Sequence, residues 1–121
     1  VQHVWTVDAY NPKEVETAIR QALTITDRPS VVVVTGSCVF LASAPRKPAV
    51  TVDAEVCNGC SLCFRVGCPA ILEGEIDSGT KKPKAVIDSI LCVGCDICLQ
   101  VCPRHAIFRM TPKEEPGCWV A

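Results

Sequence analysis

"CNGCSLCFRVGCP", residues 57–69, and "CVGCDICLQVCP", residues 92–103, together hold eight of the ten cysteines of a 121-residue chain. That density approaches a disulfide scaffold, but the spacing speaks against one. In C-x-x-C-x-x-C three thiols lie within seven residues and are expected to converge on one point, whereas disulfide frameworks spread their cysteines to staple distant segments. Convergent thiols point to a metal.

Number and spacing bear on which metal. A structural zinc site takes four ligands, usually as two C-x2-C pairs separated by a longer loop, so a third cysteine three residues on is surplus. A 4Fe-4S cube has four corners, and a tight loop can reach three of them while a fourth ligand comes from elsewhere. Zinc and disulfides stay as the alternatives. The arrangement also occurs twice. Val52 to Cys63 aligns with Ile87 to Cys98 at an offset of 35 residues, with one residue lost before the fourth cysteine and two gained after it. Each copy reads as a short strand, a cysteine loop, a turn or two of helix, Cys-Pro and another short strand.

C-x2-C-x2-C followed by Cys-Pro is the signature of bacterial ferredoxins, and residues 49–110 resemble their two-cluster domain. The resemblance implies an α+β, ferredoxin-like fold whose internal repeat forms a pseudo-twofold around two 4Fe-4S clusters. It implies Cys57, Cys60, Cys63 and Cys102 as ligands of one cluster, and Cys92, Cys95, Cys98 and Cys68 as ligands of the other. The first run departs from the simplest pattern, with four residues, Phe64 to Gly67, before its last cysteine; Gly67 can absorb the extra residue in a bulge or left-handed turn. Gly59 and Gly94 let the backbone pass close to sulfide, and Pro69 and Pro103 fix the chain just after the crossing ligand. Leu62, Val66, Ile71, Ile97, Val101 and Ile107 are the expected apolar shell. Two clusters of charge −2 would take the formal −1 of the chain to about −5, and iron would supply much of the folding energy of so small a unit.

Residues 1–45 carry a different pattern. "HVWTVDAY" alternates as a strand does. Asn11 reads as a helix N-cap, with Pro12 at the first helical position and Glu14 placed to return to the cap. Val15, Ala18, Ile19, Ala22 and Leu23 form one apolar stripe on a helix of about 15 residues. "SVVVVTG", residues 30–36, reads as a strand buried on both faces of a parallel sheet. Such a strand, helix, strand unit cannot cover itself, so the rest of its sheet is expected in further sequence or in a partner.

The order of that unit, its "VVVVTGSC" strand, the linker "APRKPAV" and the motif ending "GCPAI" is similar to the C-terminal end of the alpha subunit of indolepyruvate ferredoxin oxidoreductase, within the 2-oxoacid:ferredoxin oxidoreductases. The resemblance implies that 1–45 is the terminal β-α-β unit of an α/β thiamine-diphosphate domain, 46–110 the two-cluster domain and 111–121 a tail. It implies an enzyme that oxidatively decarboxylates an aryl-pyruvate to an acyl-coenzyme A, with an external ferredoxin, the rest of the alpha subunit and a beta subunit as partners. Thiamine diphosphate and magnesium would belong to the full enzyme and not be bound by this chain, which has no G-D-G motif to hold them; alone it is expected not to turn over and contributes no catalytic residue. An iron-sulfur carrier subunit of another redox complex is the alternative, and a zinc-stabilised interaction module a second.

The near-neutral charge gives no reason to expect nucleic acid or an anionic membrane as partner. Apolar runs such as Val31 to Val34 are far short of the roughly 20 residues of a membrane span. The chain opens on Val1 without a secretion signal, so it is expected to be a piece of something longer, and oxygen-sensitive clusters would suit an anaerobic cytoplasm. Cys38 and Cys118 are expected to be spectator thiols, His3 and His105 surface or capping residues, and Arg46 and Lys47 a solvated linker. Residues 73–84 are expected to form a hairpin between the repeats, and Trp119 belongs to the loosely held tail.

Overall fold

The computed structural model describes residues 1–41 and 47–110, and the chain divides into two compact α+β units, Val1–Ala44 and Pro45–Ala121. In the first unit, strand β1 (His3–Asp8) and strand β2 (Ser30–Thr35) pair in parallel, from His3 opposite Ser30 to Asp8 opposite Thr35. Between them runs helix α1, Pro12–Leu23. Its start follows from the residues: the Asn11 side chain accepts from the Glu14 amide at 3.3 Å, and Pro12 gives up an N–H that would have had no partner. The expected return of Glu14 to the cap is not made, because the Asn11 amide donates to the Asp8 carbonyl at 3.1 Å instead. The helix ends after 12 residues rather than 15, where the Thr24 amide and hydroxyl both turn back to the Gln21 carbonyl.

Burial in this unit differs from the sequence pattern. Val7 of β1 and Ala18 of α1 are buried, but Ile19 and Leu23 of the expected stripe are exposed. In β2, expected to be covered on both faces, Val31, Val33 and Val34 are exposed, Val34 by 51%. Two strands and one helix can cover only one face of the pair, so the other stays open among the described residues.

The second unit has two antiparallel pairs. Strand β3 (Val50–Val52) pairs with strand β6 (Ile107–Arg109), and strand β4 (Ile71–Ile76) with strand β5 (Pro83–Ile87). The opening strand of each repeat is thus bonded to the closing strand of the other. Between the strands lie a 3-10 turn, Cys63–Val66, and a short helix α2, Ile97–Val101. The extra residue of the first run is taken up at Gly67, which caps the 3-10 turn in the left-handed region at φ 72°.

The link between β4 and β5 is a turn built on Asp77. Its carboxylate accepts from the amides of Gly79 (3.1 Å) and Thr80 (2.8 Å) and from the Thr80 hydroxyl (3.0 Å), and the Thr80 amide above all holds it below the usual carboxylate range. The core of the unit joins Val50, Ile71, Ala85 and Ile107 to Cys63 and Cys98, with Ala70 and Ala106 each only 1% exposed. Of the expected apolar shell, Ile71 and Ile107 are buried, Val66, Ile97 and Val101 half-buried, and Leu62 is exposed at 36%. The small residues Val50, Ala70, Ala85 and Ala106 take the central places instead, because the cysteine loops leave little room for larger ones.

Candidate metal centres

Each cysteine loop is set by the same few residues. Asp53 and Asp88 open them: Asp53 Oδ1 accepts from the amides of Glu55 (2.9 Å) and Val56 (3.4 Å), and Asp88 Oδ1 from those of Ile90 (2.8 Å) and Leu91 (3.4 Å). The Cys57 amide then donates to the Asp53 carbonyl and the Cys92 amide to the Asp88 carbonyl, at 2.9 and 3.0 Å. These Asx turns reverse the chain just before its first thiol. Across the molecule, the Asp53 amide bonds to Ala106 O and the Asp88 amide to Ala70 O, both at 2.8 Å, which ties each loop to the segment after the other repeat's Cys-Pro.

Gly59 and Gly94 follow at φ 66° and 68°. A Cβ on Gly59 would meet the Lys82 carbonyl at 2.9 Å, and one on Gly94 the Lys47 carbonyl at 2.6 Å, so both the dihedral and the close approach require glycine. Pro69 and Pro103 sit second in turns closed by Ile71 N to Cys68 O (3.2 Å) and His105 N to Cys102 O (3.3 Å), a place that needs no N–H and favours the fixed φ of proline.

The last cysteine of each run stands at the first place of these turns. Cys57, Cys60, Cys63 and Cys102 line one cavity, together with Gly59 and Pro103. In the other set Cys98 lies within the electrostatic reach of Cys95, Cys92 and Cys68. Cys63 and Cys98 are buried and the remaining six are half-buried or exposed. Burial raises the Cys63 thiol, with Cys57 and Cys60 adding to the effect, and pushes Cys98 up to about 11, with Cys95, Cys92 and Cys68 adding to it. Against this, the backbone amide of Phe64 bonds to Cys63 and that of Leu99 to Cys98, favouring the thiolates. Among the described residues no three His, Cys, Asp or Glu are grouped closely enough for a single metal ion. A cube with an iron at each of four corners needs thiols set apart around it.

Residues 85–108 match the family model of the 4Fe-4S binding domain. This stretch is a 4Fe-4S binding domain. No curated protein matches the chain. The 4Fe-4S domain contains Cys92, Cys95, Cys98 and Cys102, and it gives the chain an iron-sulfur, electron-transfer role. The residues present fit such a group: an all-thiol donor set, backbone amides aimed at two of the sulfurs, and glycines where the chain is most crowded.

Cys38 is exposed in the first unit, and His3 stacks on Trp5 at 6.3 Å. His105 is exposed, in the left-handed region at φ 54°. Cys118, Arg46 and Trp119 lie outside the described residues. Lys47, expected in a solvated linker, reaches Asp96 at 3.4 Å, where Arg109 also binds. Asp96 and Arg109 went unnoticed in the sequence because 13 residues separate them; the one available signal was an Asp at the place where the first run has Ser61. No helix among the described residues is long and apolar enough to cross a membrane.

Proposed function

We propose that residues 47–110 form a two-cluster electron-transfer module, with Cys57, Cys60, Cys63 and Cys102 holding one 4Fe-4S cluster and Cys92, Cys95, Cys98 and Cys68 the other. The observations that support this reading are that Cys102 lines one cavity with Cys57, Cys60 and Cys63, and that Cys68 is among the thiols that act on Cys98. When bound, each cluster takes up and gives back one electron. The chain's part is to hold the thiols in place, to donate the Phe64 and Leu99 amides to sulfur, which favours the more negative reduced form, and to keep water from the buried Cys63 and Cys98.

Within this reading, the module serves as the electron outlet of a 2-oxoacid oxidoreductase alpha subunit of the indolepyruvate type, passing electrons from a thiamine-bound intermediate to an external ferredoxin in the cytoplasm. Its support is the resemblance across the junction, "VVVVTGSC", "APRKPAV" and "GCPAI", together with a parallel strand, helix, strand unit ahead of the cysteine runs. Anaerobically prepared protein should be brown, contain about eight iron atoms per chain, and bleach with dithionite. Mixed with the complementary subunit pieces, its clusters should be reduced on addition of an aryl-pyruvate and coenzyme A. Colourless protein would overturn the iron-sulfur module, and a brown protein that no 2-oxoacid reduces would overturn only its assignment to this enzyme.

A further inference from the structure

Between their first and third cysteines the two loops match in backbone and differ in charge at one place. Ser61 and Asp96 each follow the second cysteine of their run, and both adopt the left-handed region, at φ 66° and 65°. Ser61 is neutral, and its hydroxyl donates to the Gly59 carbonyl at 3.2 Å. Asp96 Oδ2 instead accepts from Arg109 Nη2, with Lys47 Nζ 3.4 Å away on the same oxygen. Arg109 is anchored in turn by donating from Nη1 to the Pro48 carbonyl at 3.0 Å. Glu73, which the offset relating Ile71 to Ile107 makes the counterpart of Arg109, carries the opposite charge.

The ordinary reason for an aspartate at this position does not apply. Asp96 is the N-cap of α2, yet its side chain makes no capping hydrogen bond. Its side chain is only 20% exposed, and its Oδ1 atom is buried with no hydrogen-bond partner among the described residues. A charge so placed is weakly screened, and it lies next in sequence to Cys95 and two residues from Cys98.

We propose that Asp96, held in place by Arg109 and Lys47, is a positioning residue that sets the reduction potential of the cluster at Cys92, Cys95, Cys98 and Cys68 apart from that of its twin. The proposal rests on the two-cluster reading. Its physical basis is that a carboxylate beside the sulfurs opposes the arrival of an electron while the two cations favour it, so the charges at this site tune one step and leave the other alone. The first loop, with Ser61, has no ionised side chain at the equivalent position.

The test is a redox titration of the anaerobic, cluster-loaded full chain followed by electron paramagnetic resonance, with iron counted in every sample. Asp96→Asn keeps a side chain that tolerates the left-handed backbone and should move one step upward by about tenfold in its reduction equilibrium, about 59 mV for one electron. Arg109→Gln should move the same step downward, and Ser61→Asp should lower the other one. If Asp96→Asn sheds a cluster, Arg109→Gln decides: a shift confined to one step upholds the proposal, and none overturns it. With full iron and steps that stay where they were in all three variants, Asp96 has no such role while the two-cluster reading stands. Iron well below eight atoms in the unaltered chain removes that reading and this proposal with it.

Discussion

The two cysteine runs share a backbone and present different surfaces. Asp53 and Asp88 make the same Asx turn, Gly59 and Gly94 the same left-handed approach, and each fourth thiol leaves through a proline turn. Outside those positions the halves diverge. Glu55 corresponds to Ile90, which is 91% exposed; Asn58 corresponds to Val93, also exposed; Ser61 corresponds to Asp96. One half winds its helical segment as a 3-10 turn ended by Gly67, the other as the α-helical α2. A handful of residues per repeat therefore determines where the thiols go, and the others are free to set how each end meets water, a partner or a charge.

The harshest way to break the comparison is to remove the iron. Among the described residues no large side chain is fully buried, and the core of this unit joins only two isoleucines, Ile71 and Ile107, to smaller residues and thiols. Chelation should therefore abolish the cooperative unfolding transition of both halves together, as followed by circular dichroism or amide dispersion. One half surviving would show that the repeats are separate folding units.

Substituting the glycines sharpens the comparison. Gly94→Ala meets the Lys47 carbonyl at 2.6 Å and Gly59→Ala the Lys82 carbonyl at 2.9 Å, each in a left-handed backbone. Each should cost about 2 kcal/mol or more in the loaded protein, with Gly94 the worse. Gly67→Ala meets nothing within 4 Å and should cost only the dihedral strain, about 1 kcal/mol. Denaturant titrations under anaerobic conditions would rank the three.

Acidity acts on both halves in the same direction. Cluster assembly must remove protons from thiols that burial has raised, Cys63 and, at about 11, Cys98. Reconstitution should therefore become more complete as pH rises from about 6.5 to 8.5, by up to about tenfold per thiol for each unit. Cluster-free chain behaves oppositely. Any folded form it keeps is favoured by the neutral thiols below the ordinary thiol value near 9, and loses that contribution as pH climbs through about 11. Iron content after reconstitution across this range would measure the first effect and thermal melts of cluster-free protein the second.

The smallest effect is expected at the surface. Ile90→Glu gives the second loop the residue type of the first at a side chain that is almost wholly exposed, and should change stability by less than about 0.5 kcal/mol. A larger loss would mean that Ile90 packs on something, and that the two surfaces are not free to differ.

What could be read from the sequence was local. The cysteine spacing, Asn11 with Pro12 and the hairpin over 73–84 each depend on residues close along the chain, the offset between repeats is a repetition of such local patterns, and the predicted strands and helices have counterparts among the described residues. The errors concern which residue covers which. β2 reads as doubly buried because four valines look alike whether covered or not, and only the count of neighbouring strands decides. Leu62 reads as core and is exposed, while Ala70 and Ala106, unremarkable in sequence, are each only 1% exposed. The Asp96, Arg109 and Lys47 cluster was invisible because pairings 13 and 49 residues apart leave no periodic trace. In the candidate site, the spacing of the cysteines and the left-handed glycines were legible, and the charges around them were not.

The account stands or falls on the exchange of fourth thiols between the halves. Hyperfine-shifted β-proton resonances of the cysteines, assigned in the loaded protein and then in Cys102→Ser, test this directly. The resonances of Cys57, Cys60 and Cys63 should shift or vanish while those of Cys92, Cys95, Cys98 and Cys68 hold still. Disturbance of Cys92, Cys95 and Cys98, with the first run untouched, would contradict it.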